Sequence, residues 1–144
     1  MSRVQLALNV SDMDAAVDFY SKLFGAAPAK REPGYANFAV ADPPLKLVLF
    51  EGQGSGGSLN HLGIEVETAA EVAGARSRLA AEGLATTSEE GVECCYALQD
   101  KVWTDDPDGA PWEVYTVLAD SGVGSDCTCC AGGADVGRPA AACC

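Results

Sequence analysis

Two segments of the chain share the same alternation of apolar and polar positions. Residues 5–10 and 61–66 alternate with the period of two that is typical of a β-strand. Each segment is followed by apolar residues at helical spacing, which predicts a helix with one buried face. The predicted buried positions are Val17, Tyr20, Leu23 and Phe24 in the first helix and Val72, Ala75 and Leu79 in the second.

Capping residues set the expected limits of both helices. Ser11 or Asp12 can cap the start of the first helix, and Thr68 can cap the second. Gly25 and Gly83 follow the apolar stripes, and glycine is common just past a helix C-terminus. The two helices therefore occupy equivalent places in a repeat.

The repeat continues through the strands after each helix. Residues 38–43 match residues 102–107, and residues 45–50 match residues 112–117. Each half is then one strand, one helix and about three strands. We expect an α+β fold in which two βαβββ modules build a curved, cup-like sheet.

We expect one domain over residues 1–119, since a chain of 144 residues is the usual size of one domain. Its modules lie at about 1–51 and 59–119, with a Gly- and Ser-rich linker between them. The second module carries about six extra residues, which include Cys94 and Cys95. We expect this insertion to be an irregular loop, where function is often located.

Composition excludes several classes of partner. The net charge is -12, so we expect no binding to nucleic acid or to anionic membranes. No apolar run approaches the ~18 residues of a membrane span, and the first ten residues resemble a strand rather than a signal peptide. We therefore expect a cytoplasmic protein, as a monomer or a homodimer.

Residues 120–144 differ in composition from the rest of the chain. They are rich in Gly, Ala and Cys and contain no aromatic residue, so we expect a disordered tail unless metal orders it. The tail offers a possible second soft-metal site, formed by Cys127, Cys129, Cys130, Cys143 and Cys144. An uncommitted flexible tail is an equally good interpretation.

Three polar residues at strand positions form a candidate metal site. Gln5 and His61 are equivalent positions of the repeat, and Glu113 shares a strand face with Tyr115, where the core should be. A buried carboxylate needs a partner or a metal. A lone histidine on a strand is more often a hydrogen-bonded core residue, so the prediction depends on the three residues together. Bound to an octahedral metal ion, the three residues would leave about three coordination positions open.

Cys94 and Cys95 are adjacent, with Cα atoms about 3.8 Å apart, below the usual disulfide range. Two neighbouring thiolates can chelate a soft ion such as As(III) or Cd(II), and a nearby metal or Lys101 would favour the thiolate form. The alternative is that both are small core residues. Tyr96, Lys101 and Trp103 are candidate walls of this site.

The sequence resembles the organoarsenical carbon–arsenic lyases, which are grouped with the cadmium-induced proteins in the glyoxalase/bleomycin-resistance/extradiol-dioxygenase superfamily. The resemblance covers about residues 2–120. It is most specific at the Cys-Cys-Tyr and Gln-Asp-Lys-Val-Trp sequence of residues 94–103, and it also includes residues 60–63 and 106–120. Residues 2–10 and 30–38 resemble the family as well.

This resemblance implies a vicinal-oxygen-chelate fold and a particular reaction. It implies Fe(II) bound by Gln5, His61 and Glu113, capture of trivalent arsenic by Cys94 and Cys95, and a substrate site lined by Lys101. Dioxygen would be used to convert methylarsenite, or a trivalent aromatic arsenical, to arsenite.

The first alternative is a cadmium- or arsenic-inducible protein that sequesters soft metals without catalysis. The second alternative is another enzyme of the superfamily, such as a glyoxalase or an extradiol dioxygenase. Such an enzyme would have no need of Cys94 and Cys95.

Overall fold

The structure is a computed structural model that describes residues 2–94 and 96–121. The elements in chain order are β1 (Arg3–Val10), α1 (Met13–Phe24), β2 (Lys30–Glu32), β3 (Tyr35–Val40), β4 (Leu45–Glu51), β5 (Leu59–Glu65), α2 (Ala69–Ala81), β6 (Thr87–Cys94), β7 (Ala97–Asp105) and β8 (Pro111–Asp120). This order confirms the predicted α+β fold with two βαβββ modules. The predicted tail sites at residues 127–144 and the position of Cys95 lie outside the described residues.

The described chain divides into two compact units. One comprises residues 2–62, and the other begins at Gly63. Strand β5 starts in the first unit and ends in the second. The division therefore falls inside a strand, and the module limits at about 51 and 59 stay a prediction.

The first unit is a four-stranded sheet in the order β2-β3-β4-β1, covered by α1. Strands β1 and β4 are parallel, whereas β3 is antiparallel to both β2 and β4. The core consists of Met13 and Val17 of the helix with Ala36, Phe38, Val40, Leu47 and Leu49 of the sheet. Burial of this apolar surface is what holds the helix on the sheet.

The limits of α1 are as predicted, but one of its core positions is not. Asp12 caps the helix by accepting from Ala15 N at 3.0 Å, and Gly25 ends it with a left-handed φ of 63°. Leu23 is 59% exposed, so its predicted burial is wrong. The buried face instead begins at Met13, because the helix rotates about 100° per residue and positions 13, 17, 20 and 24 share one side.

The second unit is a sheet in the order β8-β7-β6 covered by α2. Strand β7 is antiparallel to both neighbours. The helix buries Val72 and Ala75 against Val102. Its N-terminus is a full capping box, in which Thr68 and Glu71 satisfy each other's backbone N–H groups. The predicted cap and apolar face are confirmed.

The extra residues of the second module form a longer β-hairpin rather than an irregular loop. Strand β6 has 8 residues, whereas β2, its counterpart, has 3. Cys94 is the last residue of β6, and its register partner is Ala97 at the start of β7. The loop prediction is wrong because the insertion continues the strand pairing, which satisfies its backbone hydrogen bonds.

Strand β8 continues to Asp120, one residue past the predicted limit of 119. No helix in the described part of the chain is long and apolar enough to cross a membrane.

Candidate metal and substrate site

Gln5 and His61 meet inside the first unit, as the sequence repeat predicts. Both side chains are buried, and Gln5 Nε2 lies 3.0 Å from His61 Nε2. A carboxamide nitrogen can only donate, so in this arrangement His61 Nε2 carries a lone pair and accepts. A histidine binds a metal through such a lone pair. The arrangement therefore places the unprotonated ring nitrogen of His61 beside Gln5, the other predicted ligand in the first unit.

Asn60 orients the histidine ring from the other side. Its Oδ1 lies 2.7 Å from His61 Nδ1, so Nδ1 bears the proton and donates. Asn60 in turn donates through Nδ2 to Asn9 Oδ1 at 2.9 Å. Partners of this kind fix the ring orientation and tautomer of metal-binding histidines.

The sequence predictions did not include Asn60 and Asn9. One signal for Asn9 was available, because Gln5, Ala7 and Asn9 alternate along β1 and all three are buried. Asn60 had the weaker signal of its position beside His61. A buried asparagine on a strand requires hydrogen-bond partners, and here those partners lead to the histidine.

Aromatic side chains border this part of the first unit. The Phe50 ring lies 6.2 Å from the His61 ring between centroids, and the Tyr35 ring lies 5.7 Å from that of Phe50. All three side chains are buried. The Phe50 and Tyr35 rings help to keep water from the imidazole, and polar contacts are stronger where water is excluded.

Glu113 lies in the second unit, where its partner is Lys101. Lys101 Nζ is 3.0 Å from Glu113 Oε2, and the side chains are 0% and 1% exposed. The Trp103 and Tyr115 rings flank the ammonium group, with centroids 5.4 Å and 5.9 Å from Nζ. Glu113 is therefore a buried carboxylate, as predicted, and it is held by a buried cation.

Lys101, predicted to line the substrate site, is buried beside Glu113, and its role toward a substrate stays a prediction. Its ammonium group contacts the Glu113 carboxylate and lies over two aromatic rings. Strand register explains the arrangement, since Trp103 pairs with Glu113 and Lys101 with Tyr115. Residues paired across antiparallel strands share a face.

Cys94 lies on the same sheet face as Glu113 but far along it. Cys94 pairs with Ala97 and Glu113 pairs with Trp103, six residues further along β7, which corresponds to about 20 Å. The cysteine is buried and disulfide-bonded. Gln99 Nε2 donates to its carbonyl oxygen at 3.3 Å. The structure thus does not bring Cys94 and Glu113 into contact.

Tyr96 is the remaining predicted substrate residue in the described chain. It follows the cysteine pair with a left-handed φ of 66°, which is unusual for an aromatic residue, and its side chain is half-buried. Within residues 2–94 and 96–121, no three His, Cys, Asp or Glu side chains gather into a metal-binding group. The predicted ligands Gln5, His61 and Glu113 include only two side chains of those four kinds, so this absence does not bear on them.

Comparison with known proteins adds a family to this geometry. Residues 3–114 match the Glyoxalase/Bleomycin resistance protein/Dioxygenase superfamily. Cadmium-induced protein CadI of Mycobacterium tuberculosis is 64% identical over 121 residues, which is 84% of this chain and 80% of that protein. A trivalent organoarsenical cleaving enzyme of Thermomonospora curvata is 58% identical over 134 residues, which is 90% of this chain and 89% of that enzyme.

A solved structure shows the same fold. The 2,3-dioxygenase LapB from Pseudomonas sp. KL28 matches with a TM-score of 0.64 at 20% sequence identity, over 85% of this chain and 44% of that one. The chain therefore belongs to the glyoxalase/bleomycin resistance protein/dioxygenase superfamily, in the family that includes the cadmium-induced proteins and the trivalent organoarsenical cleaving enzymes.

Proposed function

We propose that the protein cleaves the carbon–arsenic bond of a trivalent organoarsenical with Fe(II) and dioxygen, in cytoplasmic arsenic detoxification. The observation that carries the proposal is the buried His61 ring, whose Nε2 lone pair lies beside the Gln5 carboxamide. The 58% identity to an enzyme named for cleaving trivalent organoarsenicals supports it. Methylarsenite is the simplest substrate of this class.

Gln5, His61 and Glu113 are the proposed ligands of Fe(II). They offer an amide oxygen, an imidazole nitrogen and a carboxylate oxygen, a donor set related to the facial triad of non-haem iron oxygenases. Rotation of the Gln5 amide exchanges Nε2 for Oε1, since the two ends of a carboxamide have nearly the same shape. Iron bound in this way would supply the activation of dioxygen.

Lys101 gives the proposed centre an additional positive charge. It holds Glu113 at 3.0 Å in a buried environment, where charges interact more strongly than in water. A dication with one carboxylate and this ammonium group has a net positive charge, which favours anionic ligands at the open positions. Lys101 is therefore a positioning and electrostatic residue in this proposal.

Cys94 and Cys95 are the proposed arsenic-binding residues. Two thiols condense with an organoarsenous acid to form two As–S bonds, and the two arsenic hydroxyl groups leave as water. The step needs free thiols, so the disulfide of Cys94 must first be reduced, which a reducing compartment favours. The thiols would provide affinity for the soft atom, and iron held by Gln5, His61 and Glu113 would supply the redox chemistry.

The overall reaction balances without an external reductant. Methylarsenite and dioxygen give arsenite and formaldehyde, with all atoms accounted for. The electrons lost by the methyl carbon are those gained by dioxygen, and arsenic stays trivalent. The C–As bond breaks, and new bonds to oxygen form at carbon and at arsenic.

Cys94 and Glu113 occupy different register positions in the second unit. Cys94 lies about 20 Å along β7 from the position opposite Glu113. The proposal therefore assigns arsenic capture and metal binding to different residues of the chain.

Single substitutions separate the two proposed roles under reducing conditions. His61→Ala should lose bound iron and product while still binding methylarsenite, whereas Cys94→Ser should retain iron and lose tight arsenical binding. Metal content, arsenical binding and arsenite formation are measured for each variant. Normal turnover by His61→Ala would refute the metal site, and normal turnover by Cys94→Ser would refute the thiol capture step.

Soft-metal sequestration without catalysis is the second candidate. It is supported by the 64% identity to a protein named as cadmium-induced. This function predicts that the wild-type protein binds cadmium or methylarsenite stoichiometrically and leaves the arsenical unchanged in air. Loss of Gln5 or His61 would then leave binding intact.

A further inference from the structure

A chain of hydrogen bonds connects His61 to the linker between β4 and β5. His61 Nδ1 lies 2.7 Å from Asn60 Oδ1, and Asn60 Nδ2 donates to Asn9 Oδ1 at 2.9 Å. Asn9 Nδ2 donates to Ser58 Oγ at 2.9 Å. Ser58 Oγ donates to the backbone carbonyl of Ser55 at 2.5 Å. All of these residues belong to the first unit.

The last of these contacts fixes the direction of the whole chain. A backbone carbonyl only accepts, so the single hydroxyl hydrogen of Ser58 is committed to Ser55. Ser58 Oγ must then accept from Asn9, which turns Asn9 Oδ1 towards Asn60, and Asn60 Oδ1 in turn towards His61. In the reverse direction Ser58 would donate its single hydroxyl hydrogen to Asn9, and the hydrogen bond to the Ser55 carbonyl would be lost.

Backbone contacts hold the linker against Asn9. Asn9 N donates to Ser58 O at 2.9 Å, and Gly57 N donates to Asn9 O at 2.8 Å. A Cβ atom at Gly54 would lie 2.6 Å from Asn9 Nδ2, so the linker backbone packs directly on the carboxamide. Asn60 Nδ2 also lies 3.4 Å from Gln53 Oε1. The amides therefore have little freedom to reverse.

We infer that Ser58 sets the tautomer of His61, with Asn9 and Asn60 as the positioning residues between them. The chain places the proton on Nδ1 and leaves the lone pair on Nε2, which is the atom that faces Gln5. The functional consequence of this inference rests on the proposed role of His61 as a metal ligand. The tautomer itself is inferred from the hydrogen bonds alone. A linker residue outside the ligand set thereby prepares the imidazole for a divalent metal.

The effect on metal binding follows from the population of the two tautomers. Only molecules with an unprotonated Nε2 can bind the ion, so apparent affinity falls by the fraction of competent molecules. Loss of the Ser58 hydroxyl alone should lower the apparent metal affinity by a small factor, about twofold if the two tautomers become equally populated. Loss of the Asn60 partner should cost about 10–100-fold, the usual effect of removing such a group.

The test uses the full chain, metal-free and reduced, at alkaline pH. His61 is the sole histidine of the sequence, so long-range proton–nitrogen NMR correlation on labelled protein reports one imidazole. Wild type should show a protonated Nδ1 and an unprotonated Nε2. Ser58→Ala, which removes the terminal donor, should raise the Nε2-protonated population. Ser55→Ala is the matched control, because it keeps the accepting carbonyl, and it should match wild type.

Two further variants keep the test decisive if one of them fails to fold. Asn9→Asp retains an acceptor for Asn60 and should keep the Nδ1-protonated form, whereas Asn9→Leu should lose it. A wild-type ring protonated on Nε2 would overturn the inference. So would a wild-type Nδ1-protonated ring that folded Ser58→Ala leaves unchanged, or, if Ser58→Ala does not fold, one that Asn9→Leu leaves unchanged. Because no metal or arsenical is added, these outcomes are independent of whether the protein cleaves C–As bonds.

Discussion

The buried pair of Lys101 and Glu113 gives the sharpest prediction about stability. Lys101→Met keeps most of the apolar stem but leaves Glu113 buried without its cation, since the two side chains are 0% and 1% exposed and 3.0 Å apart. Breaking a buried pair on one side costs about 3–5 kcal/mol. For a domain of this size the midpoint of thermal unfolding should fall by roughly 10–20 °C.

A double-mutant cycle isolates the interaction. Glu113→Gln in the Lys101→Met background removes both charges, so the double variant should be more stable than the sum of the single effects predicts, by about 2 kcal/mol or more. The free energies come from urea unfolding of metal-free protein. Part of the Lys101 effect, about 1 kcal/mol, is expected from the contacts of its ammonium with Trp103 and Tyr115.

The exposed pair of Lys22 and Asp18 is the matched control. Its N–O distance is 2.7 Å, shorter than that of the buried pair, but the side chains are 75% and 66% exposed. Solvent screening limits such a pair to about 0.5 kcal/mol, so Lys22→Met should change stability very little. Equal costs for Lys101→Met and Lys22→Met would refute the reasoning, because burial would then have no effect on the interaction.

Three other substitutions test separate parts of the account. Gln5→Leu should preserve the fold and lower affinity for a divalent metal at least tenfold, measured by equilibrium titration; unchanged affinity would remove Gln5 from the ligand set. Thr68→Ala should cost about 1 kcal/mol in urea unfolding, because it opens the capping box with Glu71, and no loss would contradict that role. Gly54→Ala should displace the Asn9 amide, which its Cβ would approach to 2.6 Å, and shift the His61 nitrogen signals; unchanged signals would contradict that packing.

The repeated fold could be predicted because its signals are local. Strand alternation, helix periodicity and the caps at Asp12, Thr68 and Gly25 each depend on a few neighbouring residues. The rotational phase of α1 was harder to predict, because Leu23 and Met13 are both apolar. Which of them is buried depends on the sheet beneath the helix.

The candidate site could be predicted only in part, because its contacts are made over long sequence distances. Gln5 and His61 were identifiable as equivalent positions of the repeat, and they do meet in the first unit. The partner of Glu113 was not identifiable, since no local pattern distinguishes a wholly buried lysine from an exposed one. Asn9 and Asn60 are 51 positions apart, and the direction of their amides is fixed by tertiary contacts.

The position of Cys94 is another property that spacing could not give. The insertion that contains it could have formed a loop or a longer hairpin, and both have the same length in sequence. Cross-strand pairing of Cys94 with Ala97 decided the outcome. It placed the cysteine at the end of a strand, away from the register position of Glu113.

The proposed use of iron and dioxygen to break a C–As bond can be tested with the purified protein. The most direct test is incubation of reduced, Fe(II)-reconstituted protein with methylarsenite under air and under nitrogen, with arsenic speciation in each sample. The account predicts arsenite and formaldehyde in equal amounts under air and unchanged methylarsenite under nitrogen. Methylarsenite that is bound but unchanged in both atmospheres would contradict it and would favour soft-metal sequestration.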